Sequence, residues 1–540
     1  MTFAGVSSAF SRRSSRRIPT MNFNLQTKST MPPKRFLLIA LLGGALLAAG
    51  PLSAKTTDTT QALLDLLIAK GLVTPQEAAA LKGQIQDTAK PAAPPTRPPD
   101  VIPASGNPAA GASPLSFRIG MANFTPLGFL DLTAVYRNAL NGGDIGSSFG
   151  SIPYSNTANS ALSETRLSTK NSRLGLRIDS QAGDTKLLGY VETDFLGNAA
   201  TNVNVASNSD VLRMRVFFLD LKEGPWEFLA GQDWSLLTPN RQGLSPLPSD
   251  IFFTQNVDTN YQVGLVWGRT PQVRAIYHAS GNLTMGLSAE NPDQYTGSAV
   301  NFPTGFNSAE VDTGSSGTAT PNVLPDFIGK IAFDAKLGGT KPFHAEIAGL
   351  YRYFKVDTFT STVNAAAATS GYGCALNLSL EVRPHVLLVE NAFLSKGGGR
   401  YLSTGLGPDL IVTPANASGT DGLSAVDADA GIAGIEWDAR PTNKIFGYFG
   451  VVHFGRDYVT QGGGTSVGYG YPGSPTTDNR QIEELTIGDA QILWKSAGYG
   501  DLKLLSQYSY VQRTPWFVAP GSPVNAYLGM LYLDLRYDLP

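Results

Sequence analysis

The feature that most limits what this chain can fold into is a two-residue alternation that returns along most of its length. At 527–540, "YLGMLYLDLRYDLP" places Leu531, Leu533, Leu535 and Tyr537 on one parity and Tyr532, Asp534, Arg536 and Asp538 on the other. At 172–195, "SRLGLRIDSQAGDTKLLGYVETDF" alternates Leu174, Leu176 and Ile178 with Arg173, Arg177 and Asp179. After a polar, Gly-containing turn, Leu187, Val191 and Phe195 face one way while Tyr190, Glu192 and Asp194 face the other. A period of two is the repeat of an extended strand with one greasy and one ionic face. The question is whether the greasy face meets a protein core or lipid.

Sixteen such segments are expected, near 127–137, 171–179, 186–196, 211–221, 226–235, 265–278, 282–290, 326–337, 342–355, 371–382, 385–395, 430–438, 444–454, 481–495, 501–512 and 525–538. Each has about 9–14 residues, the length that crosses a bilayer at a tilt. Seven connections are short, around "SQAGD", "KEGP", "ASG", "GGTK", "RP", "ARPTN" and "SAGYG". Eight are long: 139–170, 197–209, 236–264, 291–325, 356–370, 396–429, 455–480 and 513–524. Long and short alternate once 265–278 is read as one strand; a turn at Arg269–Pro271 would put the 291–325 loop at the short-turn end. A soluble sandwich has no reason to gather its long loops at one end, whereas an outer-membrane barrel has short periplasmic turns and long external loops.

Three further features favour lipid. Aromatics collect near strand ends, at Tyr136, Phe195, Tyr351, Tyr353, Trp437, Trp494, Tyr510 and Tyr537, as girdles at two membrane interfaces would. The turns interrupt long strands. Glycines recur inside strands (Gly175, Gly189, Gly349, Gly434, Gly447), where a closed wall must bend. In hydrocarbon no sheet edge can stay open, so the last strand must pair with the first, "LGFLDLTAVYR", with Asp131 and Thr133 inward and Leu130, Leu132 and Ala134 outward. The expected fold is all-β: a 16-stranded antiparallel transmembrane β-barrel with a short N-terminal helical segment.

The N-terminal region is different. "FLLIALLGGALLAAG" at 36–50 follows Lys34 and Arg35 and precedes "PLSA", the layout of a secretory signal peptide cut near Ala54. It is too short for a membrane-spanning helix. Met31 is the simplest start, with Met1 and Met21 open, so 1–54 is an upstream extension and signal. Residues 55–90 carry Leu63, Leu64, Leu67 and Ile68 at helical spacing, then a capping box at Thr74–Glu77 with Pro75 at the first helical position. This reads as a helical hairpin or coiled-coil element. Residues 91–115 are a Pro/Ala-rich linker, and 116–540 is the barrel. The single cysteine, Cys374, excludes an intrachain disulfide; sharing parity with Leu376 and Leu378, it reads as a packed thiol.

Other chemistry is thinly represented. A net charge of −2 exerts no pull toward nucleic acid. Gly464–Gly468 matches G-x-S-x-G but sits in a Gly-rich loop, not between a strand and a helix. The four histidines are scattered, and "VDADAG" at 426–431 reads as a solvated loop lacking a full calcium-binding pattern. No enzyme, metal or cofactor is expected.

"SRLGLRIDSQAGDTKLLGYVETDFLG", "LRMRVFFLDL" and "FLAGQDWSLLTPN" resemble the DcaP-like trimeric porins of the outer membrane, within the wider porin superfamily. "LLDLLIAKGLVTPQEAAALK" is similar to the short helical prefix of such porins. The likeness spans roughly 57–540 and is sharpest over about 171–240. It implies a 16-stranded barrel assembled as a homotrimer, with arginines lining the pore. The C-terminal "RYDLP" departs from the aromatic ending of many outer-membrane barrels.

The resemblance also implies that 236–264, after the fifth strand, folds inward as a constriction loop carrying Arg241, Asp250 and Asp258. Parity places Arg173, Arg177, Arg213, Arg215, Arg274, Lys330 and Arg352 inside, with Glu192, Asp194 and Glu346, and also Asp131 and Glu381. Charges on a low-dielectric wall act strongly on a permeant ion, and this ladder favours small anions such as carboxylates. The expected function is a water-filled channel for passive diffusion of small hydrophilic solutes, in the outer membrane with its N-terminal segment in the periplasm. Its partners are membrane lipid and solutes. The alternative is an adhesin or structural barrel acting through its long external loops.

Overall fold

The computed structural model describes residues 113–540 apart from 142–143, 198–210, 252–253, 298, 315–321, 360–361, 403–405 and 418. The signal peptide, the helical segment and most of the linker lie outside the described residues. All the described residues fall within the unit Ala92–Pro540.

Sixteen strands form the wall: β1 Ala122–Arg137, β2 Arg173–Ala182, β3 Thr185–Asp194, β4 Arg213–Glu223, β5 Trp226–Trp234, β6 Arg269–His278, β7 Leu283–Glu290 and β8 Asp326–Leu337. They continue with β9 Lys341–Phe359, β10 Asn364–Arg383, β11 Val386–Lys396, β12 Ala428–Arg440, β13 Asn443–Phe454, β14 Asn479–Ser496, β15 Gly500–Pro515 and β16 Ala526–Asp538. Each pairs antiparallel with the next, and β1 closes on β16 from Phe129↔Asp538 to Arg137↔Met530. β1 pairs with β2 over Asn123–Phe129 and with a short strand, Glu164–Ser168, over Thr133–Arg137. Both sides of the seam are therefore hydrogen-bonded, as a wall in hydrocarbon requires. The two ends of the described chain meet beside the seam, where Ser113 Oγ donates to the Pro540 carbonyl at 2.8 Å.

The outward residues are those the alternation assigns. Leu533 is 47 % exposed, and Leu130, Leu219, Ile347, Ile435 and Leu485 are comparably bare, while Asp131, Asp534 and Arg536 between such positions are buried. An exposed apolar belt of this extent is stable only against lipid. Exposed aromatics gather toward the strand ends: Trp226, Tyr277 and Trp437 near the short turns, Tyr510 and Tyr527 near the loops.

The structure corrects several expectations. β6 begins at Arg269, and 265–268 belong to the preceding loop. The connection expected at 356–370 shrinks to 360–363, because β9 and β10 continue as a paired ribbon to Phe359↔Asn364. "VDADAG" is not a loop throughout: Ala428–Gly431 lie in β12, where Asp429 Oδ1 accepts the Ser395 N–H at 3.2 Å. Cys374 is exposed on the outer face rather than packed. Ser466 lies on a strand, Ser466–Tyr469, paired with Asp457–Thr460.

The inner face is also less uniformly ionic than expected. Along β8–β15 the inward positions include Ile328, Leu350, Phe393, Val452, Ile482 and Leu505, all buried. They pack against apolar residues from loops that fold in, among them Phe149, Leu237, Val263, Leu406 and Ile411. Burying this surface gives the loops a hydrophobic reason to enter the barrel.

Candidate functional site

The connection between β5 and β6, residues 235–268, runs through the lumen. Arg241 N donates to Asp250 O at 2.7 Å and Asn240 bridges to Ile251, closing a turn that contains Pro246 and Pro248. The loop is fastened to the wall strand by strand. Leu236 N donates to Glu290 on β7 at 2.8 Å, Lys330 Nζ on β8 to the Thr238 carbonyl at 2.8 Å, and Asn240 N to Glu346 on β9 at 3.1 Å. Arg241 forms a two-pronged bond to Glu436 on β12, at 2.7 and 3.0 Å. Further on, Gln255 N donates to Tyr448 OH (2.9 Å), Val257 N to Gln507 Oε1 (2.6 Å) and Val263 N to Glu484 Oε2 (2.8 Å). Tyr532 OH donates to Asp258 at 2.8 Å. Gly264 and Gly450 permit the close approach at the far wall: a Cβ on Gly450 would overlap the Val263 carbonyl, and one on Gly264 the Gly431 carbonyl. The loop thus reaches the inside of β7 through β16, which leaves β1–β6 as its opposite bank.

That bank carries most of the inward-facing arginines of the wall. Arg215 bonds Glu192 at 2.5 Å and Asp194 at 2.8 Å, Arg213 bonds Asp194 at 2.7 Å, and Arg173 lies 3.6 Å from Glu192. Arg213 and Arg215, assigned inward in the sequence reading, do not get there by alternation: carried on from Phe217, Leu219 and Leu221, all outward, it would point both at lipid. A bulge prevents this: Glu192 pairs with Val216 and Thr193 with Met214, so Arg215 is an inserted residue and the parity resets. Tyr261 on the loop accepts from Arg215 at 3.1 Å and adopts a left-handed backbone, φ 62°. That conformation costs a non-glycine residue about 1–2 kcal/mol. Trp234 and Trp267 hold it in place, with ring centroids 5.7 and 5.0 Å from the Tyr261 ring.

The other expected lumen charges are placed separately. Arg177 makes a two-pronged bond to Asp179, two residues along the same strand. Arg274 bonds the Trp234 carbonyl at 2.6 Å and approaches Asp233 at 3.4 Å. Lys330 and Glu346 pair at 2.8 Å under the start of the loop. Arg352 is fully buried; it bonds Asp326 at 3.0 Å, Asp409 at 2.8 Å and the Asp293 carbonyl at 2.7 Å, tying two external loops to β9. Asp250 is half-buried within the loop's own turn. Glu381 is at a strand end, accepting from His385 N at 2.8 Å.

The sequence reading did not single out Arg137 and Arg269 on this bank, or Arg536 on the adjoining β16, as candidates. Arg536 bonds Asp131 at 2.8 Å and Asp534 at 2.7 Å and stacks on Phe129, as does Arg173. Its inward parity was the available signal. Arg269 stacks on Trp234 at 5.1 Å, and merging the loop end into a strand concealed it. Between the loop and the bank lies a cavity of about 40 Å³, lined by Arg173, Arg241 and Arg536 and by Gln255, Asn256 and Asp258.

The architecture is that of a transmembrane barrel narrowed by an inward loop, the form taken by channel-forming outer-membrane proteins. Among solved structures, the chain is similar to the outer membrane channel DcaP of Acinetobacter baumannii, with 18 % identity and TM-score 0.55, over 78 % of this chain and 99 % of that one. It also matches an anion-selective porin from Comamonas acidovorans (14 % identity, TM-score 0.43, 77 % and 100 % covered) and OprB of Pseudomonas putida (12 %, 0.41, 76 % and 94 %). No family model and no curated protein matches the chain. The chain has the barrel fold of DcaP.

Proposed function

We propose that the protein is a bacterial outer-membrane porin, a passive channel for small hydrophilic solutes with a preference for anions. The observation that carries this reading is a local cluster of charge on the bank, where Tyr261 of the inward loop meets Arg215. Four guanidiniums, of Arg173, Arg213, Arg215 and Arg269, surround two carboxylates, of Glu192 and Asp194. An excess of fixed positive charge beside a low-dielectric wall concentrates anions and excludes cations. The fold shared with DcaP supports the channel reading, and the sequence resemblance supports a homotrimer with the N-terminal segment in the periplasm.

Liposome swelling tests it. Vesicles containing the full-length protein should swell when diluted into isosmotic glycine, and protein-free vesicles should not. Protein-containing vesicles that fail to swell would overturn the channel and favour a barrel acting through its external loops.

A further inference from the structure

The cavity under the loop has a composition that a merely wet lumen does not need. Three of its lining side chains are more than nine-tenths buried and hold polar atoms without hydrogen-bond partners: Arg173 (Nε and Nη1), Gln255 (Oε1) and Asn256 (Nδ2). A buried donor or acceptor left unpaired costs the fold, so a cluster of three around one cavity marks a place where water or a small solute completes the bonding. Asn256 is turned this way by Thr254, whose hydroxyl occupies its Oδ1 at 2.5 Å. Gln255 is held through its backbone, which leaves its side chain uncommitted.

The charges around the cavity are unequal in availability. Arg241 is engaged by both oxygens of Glu436, and Arg536 by Asp131 and Asp534. Arg173 has only Glu192, 3.6 Å away, and the same Glu192 oxygen is held by Arg215 at 2.5 Å. One guanidinium is therefore under-compensated. The far side presents the Gln255 carbonyl and the Asp258 carboxylate, where a second anionic group would be repelled and a hydrogen-bond donor welcomed. A cavity of about 40 Å³ has room for roughly three water molecules, the bulk of an acid of two or three carbons.

We propose that this cavity is a station for small monocarboxylates bearing a hydroxyl group, the carboxylate on Arg173 and the hydroxyl donating to Gln255. The proposal rests on the channel reading and deepens it.

The test is block of chloride current through the full-length protein in planar bilayers by lactate, propionate and malonate. Lactate should half-block at a concentration about 3- to 10-fold lower than propionate, the worth of one hydrogen bond to an otherwise unpaired acceptor. Malonate should block more weakly than lactate. Gln255→Leu should bring the lactate-to-propionate ratio toward one, and Arg173→Gln should weaken block by both. Heat-dependent gel migration checks that each variant is folded, and the solute comparison on the unmodified protein needs no variant. Equal block by lactate and propionate, tighter block by malonate, or a ratio indifferent to Gln255→Leu in folded protein overturns the station while leaving the channel standing. Absence of chloride current in the unmodified protein overturns the channel itself.

Discussion

Arg241 and Glu436 show what one residue pair does in this lumen. Both are nearly fully buried, they meet through two bonds, and Lys444 stands 3.6 Å behind the carboxylate. Removing one partner of a buried pair costs about 3–5 kcal/mol where the other is left uncompensated, and less for loss of Arg241, because Lys444 and the Tyr448 hydroxyl still face Glu436. Arg241→Ala should therefore loosen the middle of the loop and raise open-channel current noise. Arg241→Ala with Glu436→Ala should be less noisy than the single substitution, and single-channel recording of the two variants checks it. Parity made the direction of most charged residues legible: Asp131, Asp534 and Arg173 all point where alternation sends them. What it could not carry was partnership. That Arg352 would anchor external loops depends on Asp326 and Asp409, which lie 26 and 57 residues away and share no local pattern with it. Arg213 and Arg215 reach the lumen through a bulge, which the sequence does not announce.

At the scale of elements, all sixteen strands were visible, because a strand that must span hydrocarbon has to alternate along its whole length. Strand ends were less visible. β9 and β10 extend as a ribbon through "VDTF" and "NAAAATS", where alternation fades because these residues lie beyond the apolar belt. The inward path was expected for 236–264 from the resemblance, with the loop's prolines and mixed polarity in keeping with it; its wall contacts are mostly backbone amides donating to carboxylates and side-chain oxygens, which leave little trace in the loop's own residue types. The external loops carry a pH dependence of their own. Burial pushes the Asp478 carboxyl up to about 7, and its Oδ2 accepts the Gly470 N–H at 2.7 Å. Burial likewise raises Asp293 to about 6, with Asp409 and Asp312 adding repulsion. The folded loops thus bind protons more tightly than the unfolded chain does. Their contribution to stability is complete below the ordinary carboxylate range, near pH 4, and is lost as pH rises through about 7. Limited proteolysis within 455–478 should be faster at pH 8 than at pH 5, and Asp478→Asn should reduce that difference.

At the scale of the whole molecule, inward loops cover apolar residues on both sides of the inner wall, most extensively along β8–β15, while the arginines at the small cavity come from β2, from β16 and from the loop itself. The outer apolar belt faces lipid, and on the channel reading proposed above the fixed charge around the cavity decides which ions pass. The most direct measurement is the reversal potential of single channels in a planar bilayer under a potassium chloride gradient. The potential should carry the sign of chloride selectivity and be diminished in Arg173→Gln. A potential of the opposite sign, showing potassium preference, would contradict the anion preference.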